Sequence, residues 1–229
     1  MRLMHPSFSS PIILEEGRVN VLVAESPELY RSLLLDLTAQ CAGQEGELIL
    51  SRDFSVVPMS KNVALLREPL FPDFGSRKIV NSFLSGLEKT AMGDSLCTDT
   101  YNLQSALAGY FEKLLYAFDA PLKVDADVSV SALLKAANLQ VDTEDSTPVE
   151  RLSTWMEVHT SLRLANVFVF ANLKSCFSTS ELKKLYREIR LKKYRVLLLE
   201  PVLYDNLRAE ECTLLFDADL CEVINETEN

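Results

Sequence analysis

VNVLVA at Val19–Ala24, NVFVFA at Asn166–Ala171 and YRVLLL at Tyr194–Leu199 decide the fold. Each is a short unbroken apolar block rich in Val, Leu and Phe, without the polar alternation of a half-exposed strand. Such blocks suit strands buried on both faces, as in a parallel sheet covered by helices. A helical pattern follows the first two blocks and a Glu-Pro turn follows the third. The expectation is an α/β chain with a nucleotide-binding-like parallel-sheet head.

Outward from the first block, Ser26-Pro27-Glu28 reads as a helix start, with an N-cap residue, a proline in the first turn and an acid behind it. That helix carries Tyr30, Leu33, Leu34 and Leu37, and Gly43 and Gly46 end it. Arg2–Leu14 reads as an edge strand or loop, and Glu47–Ser51 with Asp53–Pro58 as a strand pair. From about Ser60 to Asn138 helical periodicity replaces strand-like runs. Ser76–Ala91 aligns Ile79, Phe83 and Leu87, and Asn102–Phe118 aligns Leu103, Leu107, Phe111 and Leu114. These two are expected to pair as an antiparallel hairpin, with a shorter helix at Ser129–Leu139 leading back. The expected division is a head of residues 1–58 plus 140–229 and an inserted α-helical leg of residues 59–139. In the returning head, Thr147-Pro148-Val149-Glu150 and Ser178-Thr179-Ser180-Glu181 are capping boxes that open helices. LLFDADLCEVI reads as a final strand before a polar end at Asn225–Asn229.

The 229 residues suffice for one large domain or a core with a sizeable insertion. No apolar run reaches the ~20 residues needed to span a bilayer, and the start MRLMHPSFSSPI lacks a signal-peptide block. The expected location is therefore cytoplasmic. Cys41, Cys97, Cys176, Cys212 and Cys221 are scattered and never spaced C-x-x-C. That argues against a disulfide framework or a structural zinc site and leaves them as small buried residues. The formal net charge of −10 weighs against nucleic-acid binding, although it says nothing about local distribution.

A phosphate-cradling loop needs glycines, then Lys and Ser or Thr. The turn here is Ala24-Glu25-Ser26-Pro27-Glu28, which sets two carboxylates where phosphates would lie. Neither histidine, His5 or His159, belongs to a catalytic spacing, and no G-x-S-x-G or H-E-x-x-H element exists. Catalysis is not expected. Glu200 ends a core strand, where α/β folds often keep active sites, and orienting the following turn is its simpler role.

The basic residues are more informative. Lys183, Lys184, Arg187 and Arg190 share one helix with a buried stripe of Leu182, Leu185 and Ile189. Lys183, Arg187 and Arg190 fall on one outward face at spacings of four and three. Arg77 and Lys78 open the insertion and Lys135 closes it. Non-specific phosphate binding fits this set, and so does an ordinary solvated surface. Asp119, Asp125 and Asp127 cluster where the second leg helix ends. Such carboxylates can hold Ca²⁺, which takes several oxygen ligands, though by spacing alone solvated loop acids are the simpler reading.

The succession VLVAESPELYRSLLLDL, VSVSALLKAANLQVDTEDS, NVFVFANLKSCFSTSELKKLYREI and RVLLLEPVLYD resembles the small ring-forming accessory protein of type II-A CRISPR systems that acts in spacer acquisition. The resemblance spans essentially the whole chain, and its most distinctive piece is the Leu-Glu-Pro turn with Tyr204-Asp205 behind it. It implies an α/β head with an inserted helical leg and a homotetrameric ring that takes free ends of double-stranded DNA through its hole. It further implies stabilisation by Ca²⁺, no enzyme activity, and work alongside the CRISPR integrase and RNA-guided nuclease. On that implication Asp119, Asp125 and Asp127 become calcium ligands. Two other readings of the residues stay open: a P-loop-like nucleotide-dependent enzyme and a purely structural partner-binding protein.

Overall fold

The chain enters through two short strands, β1 (Arg2–Met4) and β2 (Ile12–Ile13), before the first apolar block, β3 (Val19–Ala24). The structure is a computed structural model that describes residues 1–125, 127–205 and 207–225. After β3 come helix α1 (Pro27–Cys41), strands β4 (Ile49–Arg52) and β5 (Ser55–Val56), a single turn α2 (Met59–Asn62) and strand β6 (Val63–Leu66). Helices α3 (Arg77–Ala91), α4 (Cys97–Tyr116) and α5 (Val130–Ala136) follow. The chain then runs through α6 (Pro148–Ser161), β7 (Val167–Ala171), α7 (Thr179–Lys192), β8 (Val196–Glu200), β9 (Glu211–Phe216) and β10 (Glu222–Asn225).

The three apolar blocks lie at the centre of a six-stranded sheet ordered β10-β9-β3-β8-β7-β6. All its neighbours are parallel except β10, which runs antiparallel to β9. Every residue of β3, β7 and β8 is buried, as unbroken apolar runs require. Successive side chains alternate faces. Leu22, Val169, Leu197 and Leu199 face α1, where they join Leu33 and Leu37 in one cluster. Phe168 and Phe170 face α6, with ring centroids 5.8 and 6.0 Å from Trp155. A second sheet, ordered β2-β1-β4-β5 and antiparallel throughout, adds Leu3, Leu14 and Leu50 to the α1 cluster. Helix α1 is therefore enclosed between two sheets, and each fully buried Leu or Phe contributes about 1.5–3 kcal/mol.

Both expected capping boxes form: Thr147 with Glu150 opens α6, and Ser178 with Glu181 opens α7. Ser26 caps α1 by position only, without a side-chain hydrogen bond. Gly43 takes φ +86 just past the end of α1, a conformation that favours glycine.

The chain divides into two compact units, Met1–Asp73 with Thr143–Asn229, and Phe74–Asp142. Here the expectations need correction. The leg was expected from residue 59, yet Val63–Leu66 pairs in parallel with Val167–Phe170 as an edge of the main sheet. A four-residue VALL run is too short for periodicity to tell strand from helix. The expected strand in the tail is a hairpin, β9 with β10, turned at Asp217–Leu220, and residues 226–229 of its polar end lie outside the described residues. The strand pair expected at Glu47–Ser51 and Asp53–Pro58 does form, as β4 with β5, and it extends a sheet begun by β1. Within the second unit, α3 packs chiefly on α5 rather than pairing with α4. No disulfide joins the five cysteines, but four are half-buried and Cys221 is exposed, not buried as expected.

Candidate functional site

The basic helix α7 is set by its apolar stripe. Leu182, Leu185, Tyr186 and Ile189 are buried, which turns Lys183, Lys184, Arg187 and Arg190 outward, all exposed or half-exposed. Carboxylates already engage part of this set. The Arg190 guanidinium lies 3.4 Å from Glu210, and the neighbouring Lys192 ammonium 2.9 Å from Glu157. Glu150 and Glu181 are held below the usual carboxylate range, chiefly by hydrogen bonds from their capping partners Thr147 and Ser178 and in smaller part by the Lys184 charge. Lys183 and Arg187, one helical turn apart, have no carboxylate partner among the described residues. They are the cations on α7 best placed to accept a phosphate.

The second unit holds the remaining basic candidates. Arg77 and Lys78 occupy the first turn of α3 behind the Ser76 cap, and Lys135 the last turn of α5, all exposed. Asp119, Asp125 and Asp127 follow α4 and are exposed. Among the described residues the structure does not gather them at ligand distance. It gathers a different group, His5, Asp36 and Glu47, whose ligand atoms all lie within 4.8 Å of one another and which can hold a metal ion.

Sequence reasoning missed that group, because its members come from β1's exit, the middle of α1 and the approach to β4, and no local spacing links positions 5, 36 and 47. His159, by contrast, takes a packing role: it is half-buried, with its ring 4.2 Å from Trp155 and Nδ1 2.8 Å from the Trp155 carbonyl.

The β3–α1 turn presents Glu25 and Glu28 to solvent at the carboxyl end of the sheet, where they oppose phosphate binding. Glu200 ends β8 beside them but is wholly buried. Its Oε1 accepts the Lys174 backbone N–H at 3.1 Å, so it orients the loop after β7 rather than the turn after its own strand. Burial pushes its pKa up to about 7, against the pull of Lys174, and Oε2 has no hydrogen-bond partner. The Lys174 ammonium runs beneath the sheet to Glu211 at 2.7 Å, and the Tyr186 hydroxyl donates to the other Glu211 oxygen at 2.6 Å. Both partners of that ion pair are 1% exposed. At that depth the network ties α7 and the loop after β7 to the sheet.

Comparison with known proteins adds a family. Residues 40–220 match the family model described as CRISPR-associated protein (Cas_Csn2). No curated protein matches the sequence. Solved structures that bear some likeness to it include an ATP-binding cassette of an ABC transporter in its ADP conformation, at 9% identity and TM-score 0.42, covering 93% of this chain and 85% of that one. Another is an inward-facing putative metal-chelate type ABC transporter, at 10% identity and TM-score 0.41, covering 95% and 75%. A third is a bacterial Atm1-family ABC exporter with ATP bound, at 12% identity and TM-score 0.40, covering 91% of this chain and 34% of that one. At those scores the likenesses carry no argument about nucleotide chemistry. Among the described residues no helix is long and apolar enough to cross a membrane.

Proposed function

We propose a function for this chain from one premise: it belongs to the Cas_Csn2 family of CRISPR-associated proteins. It binds ends of double-stranded DNA without reading sequence, as a homotetrameric ring, and serves spacer acquisition in antiviral defence in the cytoplasm. The CRISPR integrase and RNA-guided nuclease are its partners, and it performs no catalysis. The family match carries this reading, and three features of the chain support it.

First, Lys183 and Arg187 offer unneutralised positive charge on a rigid helix face. A closed tetramer repeats each such cation four times, so a few per chain meet many phosphates despite a net charge of −10. Arg77, Lys78, Lys184 and Lys135 are further candidates for the DNA surface, as is Arg190, which a phosphate would have to draw away from Glu210. Phosphate binding of this kind positions a duplex without specifying its sequence. Second, α4 leaves Leu103, Tyr110 and Leu114 more than half exposed, apolar surface of the kind that self-association covers. Third, the carboxylates of the β3–α1 turn stand against nucleotide binding there.

Calcium at Asp119, Asp125 and Asp127 belongs to the same reading. Three exposed carboxylates are the hard oxygen donors Ca²⁺ takes. Binding there reduces repulsion between acidic subunits and so couples the ion to assembly.

The decisive experiment measures binding to a linear duplex across a salt series. Lys183→Glu with Arg187→Glu is expected to weaken binding. It is also expected to flatten the dependence on log salt by about 0.9 for every phosphate that a subunit no longer neutralises. Wild-type protein is expected to retain linear duplex and release sealed circles. Equal retention of both overturns end recognition, and an unchanged salt slope removes α7 from the DNA surface.

A further inference from the structure

We propose that His5, Asp36 and Glu47 form a transition-metal site of the zinc class, which clamps the small β1–β4 sheet to α1. Three separated segments deliver one nitrogen and two carboxylate oxygens to one place. His5 Nε2 stands 3.6 Å from Asp36 Oδ2 and 3.5 Å from Glu47 Oε2. Those separations exceed an N–H···O hydrogen bond of about 2.7–3.2 Å. They match the edge of a tetrahedron around an ion bonded at about 2.0–2.2 Å, which is roughly 3.4 Å.

The ring is an independent pointer to a ligand. The His5 side chain is 4% exposed, its Nε2 is buried without a hydrogen-bond partner, and it is aimed between the two carboxylates. Phe8 holds the ring with its centroid 5.3 Å away. Neither carboxylate has a lysine or arginine partner among the described residues, so their facing negative charges lack a counter-charge there. A divalent cation supplies it.

Donor chemistry chooses the ion. Ca²⁺ takes six to eight oxygens, whereas imidazole with carboxylates suits Zn²⁺ and its first-row neighbours. Glu47, at 66% side-chain exposure, gives solvent access for entry and for a fourth ligand. One hydrogen bond sets the cost of binding. The Ser7 backbone N–H donates to Nδ1 at 3.2 Å, so the metal-free neutral ring carries its hydrogen on Nε2. An ion at Nε2 moves that hydrogen to Nδ1 and gives up the Ser7 bond, one long hydrogen bond exchanged for three metal–ligand bonds.

The test strips the full chain of metal and titrates it with Zn²⁺ by calorimetry, with Co²⁺ as a visible-absorption probe. The expected result is one ion per chain, a higher Tm, and d–d bands with Co²⁺ whose intensity reports a four-coordinate N/O site. Excess Ca²⁺ leaves that signal unchanged. Glu47→Gln alters a mostly exposed side chain and preserves the fold, yet is expected to weaken Zn²⁺ at least ~10-fold. His5→Gln is expected to abolish the signal. Absence of saturable Zn²⁺ binding overturns the proposal, and so does equal binding by wild type and Glu47→Gln, which would assign the ion to the cysteines or another surface.

Discussion

The strands β3, β7 and β8 and the helix α4 all carry large apolar side chains and end in opposite situations. Every residue of the three strands is buried, whereas Thr100 is the one buried residue described in the twenty of α4. Tyr101, Leu103, Tyr110 and Leu114 are 51–59% exposed. Each face of the sheet has its own covering layer, α1 on one side and α6 with α7 on the other. The difference teaches that the three core strands complete their hydrophobic burial within one chain, while α4 leaves much of its apolar surface exposed.

The largest expected break in that comparison lies under the sheet. Lys174→Met strips Glu211 of its buried cation and is expected to cost about 3–5 kcal/mol. For a chain of this size that lowers Tm by roughly 6–20 °C in a thermal melt. Adding Glu211→Leu is expected to recover much of the loss, since an apolar pair of similar volume removes the stranded charge.

Next comes Glu200, whose ordinary pKa of 4.5 is raised by burial to about 7. Between those values the folded chain holds a proton that the unfolded chain releases. Its contribution is full below the ordinary value and is lost as pH rises through 7. Glu200→Gln is expected to flatten that fall, by on the order of 2 kcal/mol between pH 5 and pH 8. Urea melts at both pH values check the sign. Smaller again, Thr147→Ala and Ser178→Ala each remove a cap that closes a real side-chain bond, and about 1 kcal/mol of stability with it.

The smallest effect sharpens the contrast most. Leu114→Ala is expected to change the stability of a dilute single chain by less than about 0.5 kcal/mol. The same substitution is expected to lower the self-associated fraction in sedimentation at high concentration. A large loss in the dilute chain would show that α4 is already covered within one molecule.

The fold was legible in the sequence where a signal is local. Unbroken runs gave the core strands, and Thr147/Glu150 and Ser178/Glu181 gave two helix starts. The signal failed at Val63–Leu66, where four residues cannot hold a period, and at α3, whose partner is decided by packing. The outward face of α7 was readable because its buried stripe fixes the opposite side. Which of its cations stay unpaired was not, since Glu157 and Glu210 come from elsewhere in the chain. Lys174–Glu211 and His5–Asp36–Glu47 were invisible for the same reason: tertiary approach, not spacing, creates them.

The strand order also sets a timetable for biosynthesis. β3 is hydrogen-bonded on one side to β8 and on the other to β9, partners some 175 and 190 positions downstream. At about 5–20 residues per second of translation, that first core strand waits roughly ten seconds or more for its neighbours to emerge. The packing of α3 on α5 spans far less chain and can close meanwhile. A nascent chain stalled before residue 196 thus displays an unzipped VNVLVA segment, the form in which chaperone capture or clumping on the ribosome would first be detected.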